Sequence, residues 1–198
     1  MPVPLGLLLF SVLLTPGDSL ECETCLGLDS NCNGTMERCS THEDTCSVAF
    51  VEATVAEVTS QEIRKGCLST HACGLAPFYL NLGKMFIARG KAVCCEGNDC
   101  ASVSPQVPPI NNTANGKKCP ACLSLMGPCS SELAECTGAE DYCLDGILKS
   151  APGWSDFIIR GCTTKSYCAI LEKKIGPANI FGSVVGKCEP ADKAPPSL

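Results

Sequence analysis

Aromatic residues are scarce in this chain of 198 residues: six Phe, three Tyr and one Trp. So few rings exclude a large aromatic core. Histidine is scarcer still, with only His42 and His71. The sequence also has no nucleophile elbow, no metal-binding helix motif and no Gly-rich phosphate loop after a strand. Hydrolytic, metal-dependent and nucleotide chemistry therefore lack candidate catalytic residues, and neither cofactor nor metal is expected. Basic residues are outnumbered, 15 against 21 acidic, for a formal net charge of −6. An acidic surface argues against nucleic acid and anionic membrane as partners and suits a basic protein.

Long apolar runs are missing too, with one exception. Leu5–Leu14 (LGLLLFSVLL) is apolar but too short to cross a bilayer. It sits at the very N-terminus, and the small residues Gly17 and Ser19 precede a cut after Ser19. Residues 1–19 read as a secretory signal peptide, although no Lys or Arg precedes the run. The end of the chain, Glu189–Leu198 (EPADKAPPSL), is a polar tail. It has no hydrophobic stretch of roughly 10–20 residues, which a lipid-anchor signal needs. A soluble, secreted, extracellular product without a membrane anchor is expected.

Cysteine is what the chain has in abundance. All 18 cysteines fall into two copies of one register. The first runs Cys22, Cys25, Cys32, Cys39, Cys46, Cys67, Cys73, Cys94, with gaps of 3, 7, 7, 7, 21, 6 and 21, and then adds Cys95 and Cys100. The second runs Cys119, Cys122, Cys129, Cys136, Cys143, Cys162, Cys168, Cys188, with gaps of 3, 7, 7, 7, 19, 6 and 20. An internal repeat of this kind predicts two domains, 20–101 and 119–188. Modules of that size bury little apolar surface and need covalent staples, which an oxidising compartment provides. Local details recur with the spacing. Glu43-Asp44-Thr45-Cys46 matches Glu140-Asp141-Tyr142-Cys143, and Arg64-Lys65-Gly66-Cys67 matches Ile159-Arg160-Gly161-Cys162.

The long intervals between cysteines read as hairpins. Between Cys46 and Cys67, β-branched residues alternate with polar ones around a turn near Val55–Ser60. Between Cys73 and Cys94, Pro77–Leu80 and Lys84–Arg89 read as a strand pair with Gly83 at the turn. Three hairpins projecting from one cross-linked base satisfy each copy, so an all-β, disulfide-rich fold is expected. Residues 102–118 carry Pro105, Pro108, Pro109 and an Asn/Gly cluster, and read as a linker. Asn33-Gly34-Thr35 and Asn111-Asn112-Thr113 are N-glycosylation sequons, making Asn33 and Asn111 candidate glycan sites.

Two chemistries compete for the cysteines. The CxxC pairs CETC (22–25) and CPAC (119–122) have the spacing of a redox pair, but neither lies in a βαβ context, and Glu21 and Glu23 disfavour a thiolate in the first. Zinc is the other claimant, yet an oxidising compartment consumes such thiols. Binding through finger tips is better supported. Phe78, Tyr79, Met85 and Phe86 crowd the third finger of the first copy, and Trp154 lies beside Pro152-Gly153 at the second finger of the second copy. Such residues anchor interfaces, or else pack across hairpins or between domains. Pro105, Pro108 and Pro109 form either a preformed extended ligand or a spacer.

The cysteine register resembles the LY6/PLAUR three-finger family: Cys-x2-Cys, three seven-residue steps, two finger-length gaps around a short spacer, then Cys94-Cys95-x4-Cys100. Two such domains in tandem are most similar to the gamma-type phospholipase A2 inhibitors. The chain departs from the family in having Ala101 where Asn often follows the last cysteine, and in lacking counterparts of Cys95 and Cys100 in the second copy. The resemblance implies the pairs 22–46, 25–32, 39–67, 73–94 and 95–100, then 119–143, 122–129, 136–162 and 168–188. It also implies a non-enzymatic inhibitor of secreted phospholipase A2 and homo-oligomers. A non-inhibitory ligand-binding or signalling protein on the same fold stands as the alternative.

Overall fold

The computed structural model describes residues 19–28, 31–104, 106–125, 127–129, 131–150, 153, 155–173 and 183–192. The segment read as a signal peptide lies outside them up to residue 18, as do Pro105, Pro152 and Trp154.

In the first copy, finger one is β1 (Glu21–Gly27) with β2 (Thr35–Arg38), and finger two is β3 (Thr45–Val55) with β4 (Val58–Leu68). After a single helical turn, α1 (Thr70–Cys73), finger three is β5 (Phe78–Asn81) with β6 (Phe86–Cys95). All pairings are antiparallel, and β3 holds the centre between β4 and β6. The first half of β1 pairs β2 and its second half pairs β4. The second copy repeats this division. There β7 (Ala114–Pro120) pairs β9 (Leu133–Thr137), while β8 (Cys122–Leu125) pairs β11 (Phe157–Thr163), which forms finger two with β10 (Tyr142–Lys149).

All 18 cysteines are bridged, in the nine pairs the resemblance implied, with Cα–Cα distances of 5.1 Å to 5.9 Å. In each base two bridges lie side by side: Cys22 Sγ is 3.3 Å from Cys39 Sγ, and Cys119 Sγ is 3.5 Å from Cys136 Sγ. Val48, Phe50 and Ile63 pack against the bridges of the first base. The matching acidic residues do the same work in both copies. Glu43 accepts the amide of Ser40 at 3.0 Å and Glu140 that of Thr137 at 2.8 Å, so each side chain fixes the turn entering finger two.

The structure differs from the sequence expectation in two places. The second domain begins at Ala114, inside the segment read as a linker. Asn115 ties this stretch down by donating to the carbonyls of Gly138 and Glu140, and Gly116 takes φ +80° where the β7–β9 register shifts. The Asn-Gly signal therefore marks an irregularity within a strand. The other difference is in finger three of the second copy. Among the described residues its outgoing limb is a helix, α2 (Lys165–Lys173), and its returning limb, β12 (Ser183–Pro190), is a strand paired with β10. The segment KSYCAILEK is rich in good helix formers, and Tyr167 and Leu171, one turn apart, bury against a neighbouring face.

That neighbouring face comes from the other domain. β5 pairs with β11, with Leu80 opposite Thr163 and Asn81 opposite Cys162, so the fingers of both copies join in one ten-stranded sheet ordered β12-β10-β11-β5-β6-β3-β4-β1-β2, with β8 also on β11. An apolar cluster spans this seam: Phe78, Leu80, Leu82 and Ala88 from the first domain meet Leu144, Ile159 and Tyr167 from the second.

Candidate protein-binding surface

The bridged bases offer no reactive chemistry. In neither CxxC motif are the two cysteines bonded to each other, because Cys22 joins Cys46, Cys25 joins Cys32, Cys119 joins Cys143 and Cys122 joins Cys129. Two triads of sulfurs approach as closely as metal ligands do, Cys22–Cys39–Cys67 and Cys119–Cys136–Cys162. Each of those sulfurs is already consumed in a bridge. A groove of about 430 Å³ lies between fingers one and two of the first domain, lined in part by Leu26, Arg38, Glu43 and Arg64. Its cations are compensated, Arg38 by Glu21 and Arg64 by Glu62, and His42 and His71 do not line it. Among the described residues, no helix is long and apolar enough to cross a membrane.

The aromatic residues nominated from the sequence divide by environment. Phe78 is 4% exposed, and its ring lies 5.6 Å from that of Tyr167 across the seam. Phe86 is half-buried against the same cluster. These two are therefore inter-domain packing and not a surface offered to a partner. The reason is position: they sit on the face of β5 and β6 that the second domain covers. Tyr79, on the opposite face, donates its hydroxyl to the Pro109 carbonyl at 2.9 Å. Arg89 donates to the Pro108 carbonyl at 2.9 Å and pairs with Glu52. Pro108 is buried, so this Pro-rich segment is strapped to the first domain and is not a free extended ligand. Met85 remains exposed, and Trp154 and Pro105 fall outside the described residues.

Met85 belongs to a group that sequence reasoning did not assemble. Fingers two and three of the first domain end together. Val55 pairs across the sheet with both Val58 and Phe86, and the amide of Ala56 donates to the Met85 carbonyl at 3.1 Å. Val58 is 72% exposed, Met85 52% and Val55 44%, whereas the exposed Ile87 lies on the opposite face of the sheet, beside Thr54 and Asn81. The connection between Val55 and Val58 is the two-residue turn Ala56-Glu57, with φ of +46° and +73°. Such a hairpin turn favours Asn and Gly, and for Ala or Glu the left-handed conformation costs on the order of 1 kcal/mol each. The apolar tip is thus held by a strained turn and by backbone bonds between two hairpins. The available sequence signal was the pattern Val-Ala-Glu-Val at a hairpin turn.

Polar groups fix the seam alongside the apolar cluster. Thr163 donates to the Tyr79 carbonyl at 2.7 Å, Ser166 donates to the Pro77 carbonyl at 2.8 Å, and the Tyr79 amide donates to the Thr164 hydroxyl at 3.3 Å. Asn81 donates to the Glu135 carbonyl at 3.2 Å and to the Glu140 carboxylate at 3.4 Å. Glu140 is 4% exposed, and burial pushes its carboxyl above the ordinary carboxylate range despite the amide of Thr137. At the corresponding position in the first copy, Glu43 is only half-buried, and among the described residues no counterpart of Asn81 covers it. The partners of the hydroxyls in Thr163-Thr164-Lys165-Ser166 lie some 85 residues earlier in the chain, which the sequence does not reveal.

Comparison with known proteins agrees with this architecture. Residues 20–102 match the family model described as phospholipase A2 inhibitor, and residues 115–190 match the u-PAR/Ly-6 domain. The chain is 34% identical over 185 residues to a gamma-type phospholipase A2 inhibitor of Gloydius brevicaudus siniticus, covering 92% of each. It is 33% identical to "Phospholipase A2 inhibitor NAI" of Notechis ater, over 92% of this chain and 93% of that one. It is 34% identical to the 25 kDa phospholipase A2 inhibitor chain of Naja kaouthia, over 90% of this chain and 98% of that one.

Proposed function

We propose that this chain, which belongs to the phospholipase A2 inhibitor family and carries its domains in tandem, is a secreted protein that blocks secreted phospholipase A2 by covering it. The observation that carries the reading is similarity to inhibitors along nearly the whole length of both chains. The physical account agrees with it. Nine closed bridges suit an oxidising compartment outside the cytosol. The described residues assemble no catalytic constellation, so action falls to the exterior of two domains locked across a seam. A rigid surface loses little conformational entropy on docking, which favours tight binding. The net charge of −6 speeds encounter with basic enzymes and makes binding weaken as salt is added. Asn33 and Asn111 are both exposed, as glycan attachment requires. Glycosidase treatment of the secreted product is expected to lower its mass in two steps.

The test is hydrolysis of mixed micelles by several group I and group II enzymes, with and without the purified protein, at low and high salt. Rates are expected to fall for at least the basic enzymes, and less so at high salt. Unchanged rates throughout refute the reading and leave a ligand-binding protein that does not inhibit.

A further inference from the structure

We infer that the apolar tip of fingers two and three in the first domain, formed by Val55, Val58 and Met85, is the centre of the surface that seats on the phospholipase. The inference rests on the function proposed above and adds to it a place and a chemistry of contact. Exposed aliphatic side chains scattered singly need no explanation, but Val55 and Val58 stand side by side on one face at the joined ends of two hairpins, with Met85 on the adjoining loop, and form a patch. The patch continues a buried face. Val51 and Ala53 pack against the seam cluster, and Val55 with Val58 occupies the next row outward on the same side of the strands. An apolar face half covered by the second domain and half left open is what a docking site requires.

The tip is also preorganised. Two positive-φ residues without a glycine among them are retained in its turn, although a relaxed Asn-Gly turn would fit the same two positions. The Ala56–Met85 backbone bond, the Thr54–Thr59 hydroxyl bond at 2.9 Å and the Leu82–Phe86 backbone bond at 2.9 Å hold the loops in one arrangement.

Charge selects among occupants. Glu57 stands between Val55 and Val58 at the apex, on a protein of net charge −6. Insertion into an anionic membrane would drive that carboxylate against like charge. Pairing of two tips about a twofold axis would oppose Glu57 to Glu57. A basic protein presenting an apolar rim removes both conflicts. An enzyme that draws its substrate from lipid aggregates must present apolar side chains toward them, and shielding that rim would stop its docking on lipid.

The test uses the full-length secreted protein. Val58→Thr combined with Met85→Gln keeps side-chain size while making the tip polar. Val185→Thr, at an equally exposed aliphatic on the second domain, is the control. Glu57→Lys reverses the apex charge and leaves the apolar groups alone. Affinity for a basic phospholipase in lipid-free solution is expected to fall about tenfold or more for the double variant, with matching loss of inhibition. It is expected to fall several-fold for the charge reversal and to stay unchanged for the control. The melting temperature of each variant is measured alongside, and the charge reversal decides the matter if the double variant unfolds. If the native protein inhibits and the tip variants inhibit equally well, the location is wrong and the proposed function stands. If the native protein inhibits no enzyme, the underlying reading has failed. Altered binding to anionic or zwitterionic vesicles without enzyme, or an altered sedimentation coefficient, with enzyme affinity intact, assigns the tip to lipid or to self-association and overturns the inference.

Discussion

Gly66 and Gly161 occupy the same place in the repeat, yet only one of them has a neighbour that forbids a side chain. A Cβ on Gly161 would fall 2.0 Å from the carbonyl oxygen of Asn81 and 2.9 Å from Cα of Leu82. Both atoms are backbone of the other domain and cannot rotate away. A Cβ on Gly66 would meet nothing closer than Thr24 Oγ1 at 3.9 Å. Gly161→Ala therefore forces β5 away from β11 and stretches the Thr163–Tyr79, Asn81–Glu135 and Asn81–Glu140 bonds. Overpacking costs about 1–3 kcal/mol, and each weakened hydrogen bond about 1 kcal/mol more. A total of about 4–6 kcal/mol corresponds to a fall in Tm of roughly 8–24 °C for a chain of this size. Gly66→Ala is expected to be neutral or slightly stabilising, because Ala restricts the unfolded chain by about 0.4–1 kcal/mol. Thermal unfolding monitored by near-UV circular dichroism measures both. Hydrogen exchange of residues 78–82 and 162–168 should show faster exchange only in Gly161→Ala. Equal Tm and equal exchange in the two variants would refute the claim that the seam joins the domains through a close backbone approach.

Glu140→Gln keeps an acceptor for Thr137 and for Asn81 while removing a buried charge. A carboxyl whose folded pKa is raised stabilises the fold fully below its unfolded value near 4.5, and that contribution is lost as pH climbs through the folded value. The Gln variant is thus expected to be at least as stable as wild type at pH 7.5 and to lose that advantage by about pH 4, read from urea unfolding at both pH values. Glu23 and Glu52 have lowered pKa values, Glu23 through Lys65 first and Glu52 through Gln61 first, so their contribution is lost on acidification. Lys65→Met is expected to flatten the acid limb of the stability profile. Replacing Ala56-Glu57 by Asn-Gly relieves two left-handed conformations and, after the entropy of the added glycine, raises stability by about 1 kcal/mol, or roughly 2–4 °C in Tm.

The repeat made each copy legible separately, because the register of cysteines fixes a local geometry that repeats with it. Hairpin two of the first copy, the Gly83 turn at φ +86° and the acidic residues entering finger two could all be read from spacing and residue type. What joins the copies could not. Phe78 carries the same sequence signal whether it faces water or Leu144, and the choice depends on how two modules dock. Gly161 and Gly66 are indistinguishable in the sequence, and so are the hydroxyls of Thr163 and Ser166 from any solvated loop. The α2 helix escapes a reading by spacing because intervals of 20 and 21 residues between cysteines suggest identical hairpins. The strapped linker escapes it because its anchors, Tyr79 and Arg89, lie on the far side of the sheet from the apolar cluster.

The missing tenth bridge has a counterpart in this docking. The first domain closes its end with Cys95–Cys100, whereas the second has no such pair and ends with the Ala191 amide donating to the Asp141 carbonyl at 2.8 Å. A closed loop of that size contributes a few kcal/mol at most. The second domain instead places Thr163, Thr164, Ser166 and Tyr167 against the first. The hydroxyls of Thr163, Thr164 and Ser166 find hydrogen bonds there or beside it, and the Tyr167 ring packs on Phe78. Separated from its neighbour, the same surface would expose Leu144, Ile159 and Tyr167 to water. The first domain would likewise expose Phe78, Leu80 and Leu82, while each domain keeps a cluster at its own bridged base away from the seam. The dependence is therefore mutual. The second domain is folded onto the first as a buttress that fixes fingers two and three, beside the open apolar tip. An inhibitor built this way loses affinity when the buttress loosens, even though no contact with the enzyme has been touched. Gly161→Ala should accordingly weaken inhibition mainly through a slower association rate, with tip residues intact, whereas changes at Val58 and Met85 should act mainly on dissociation.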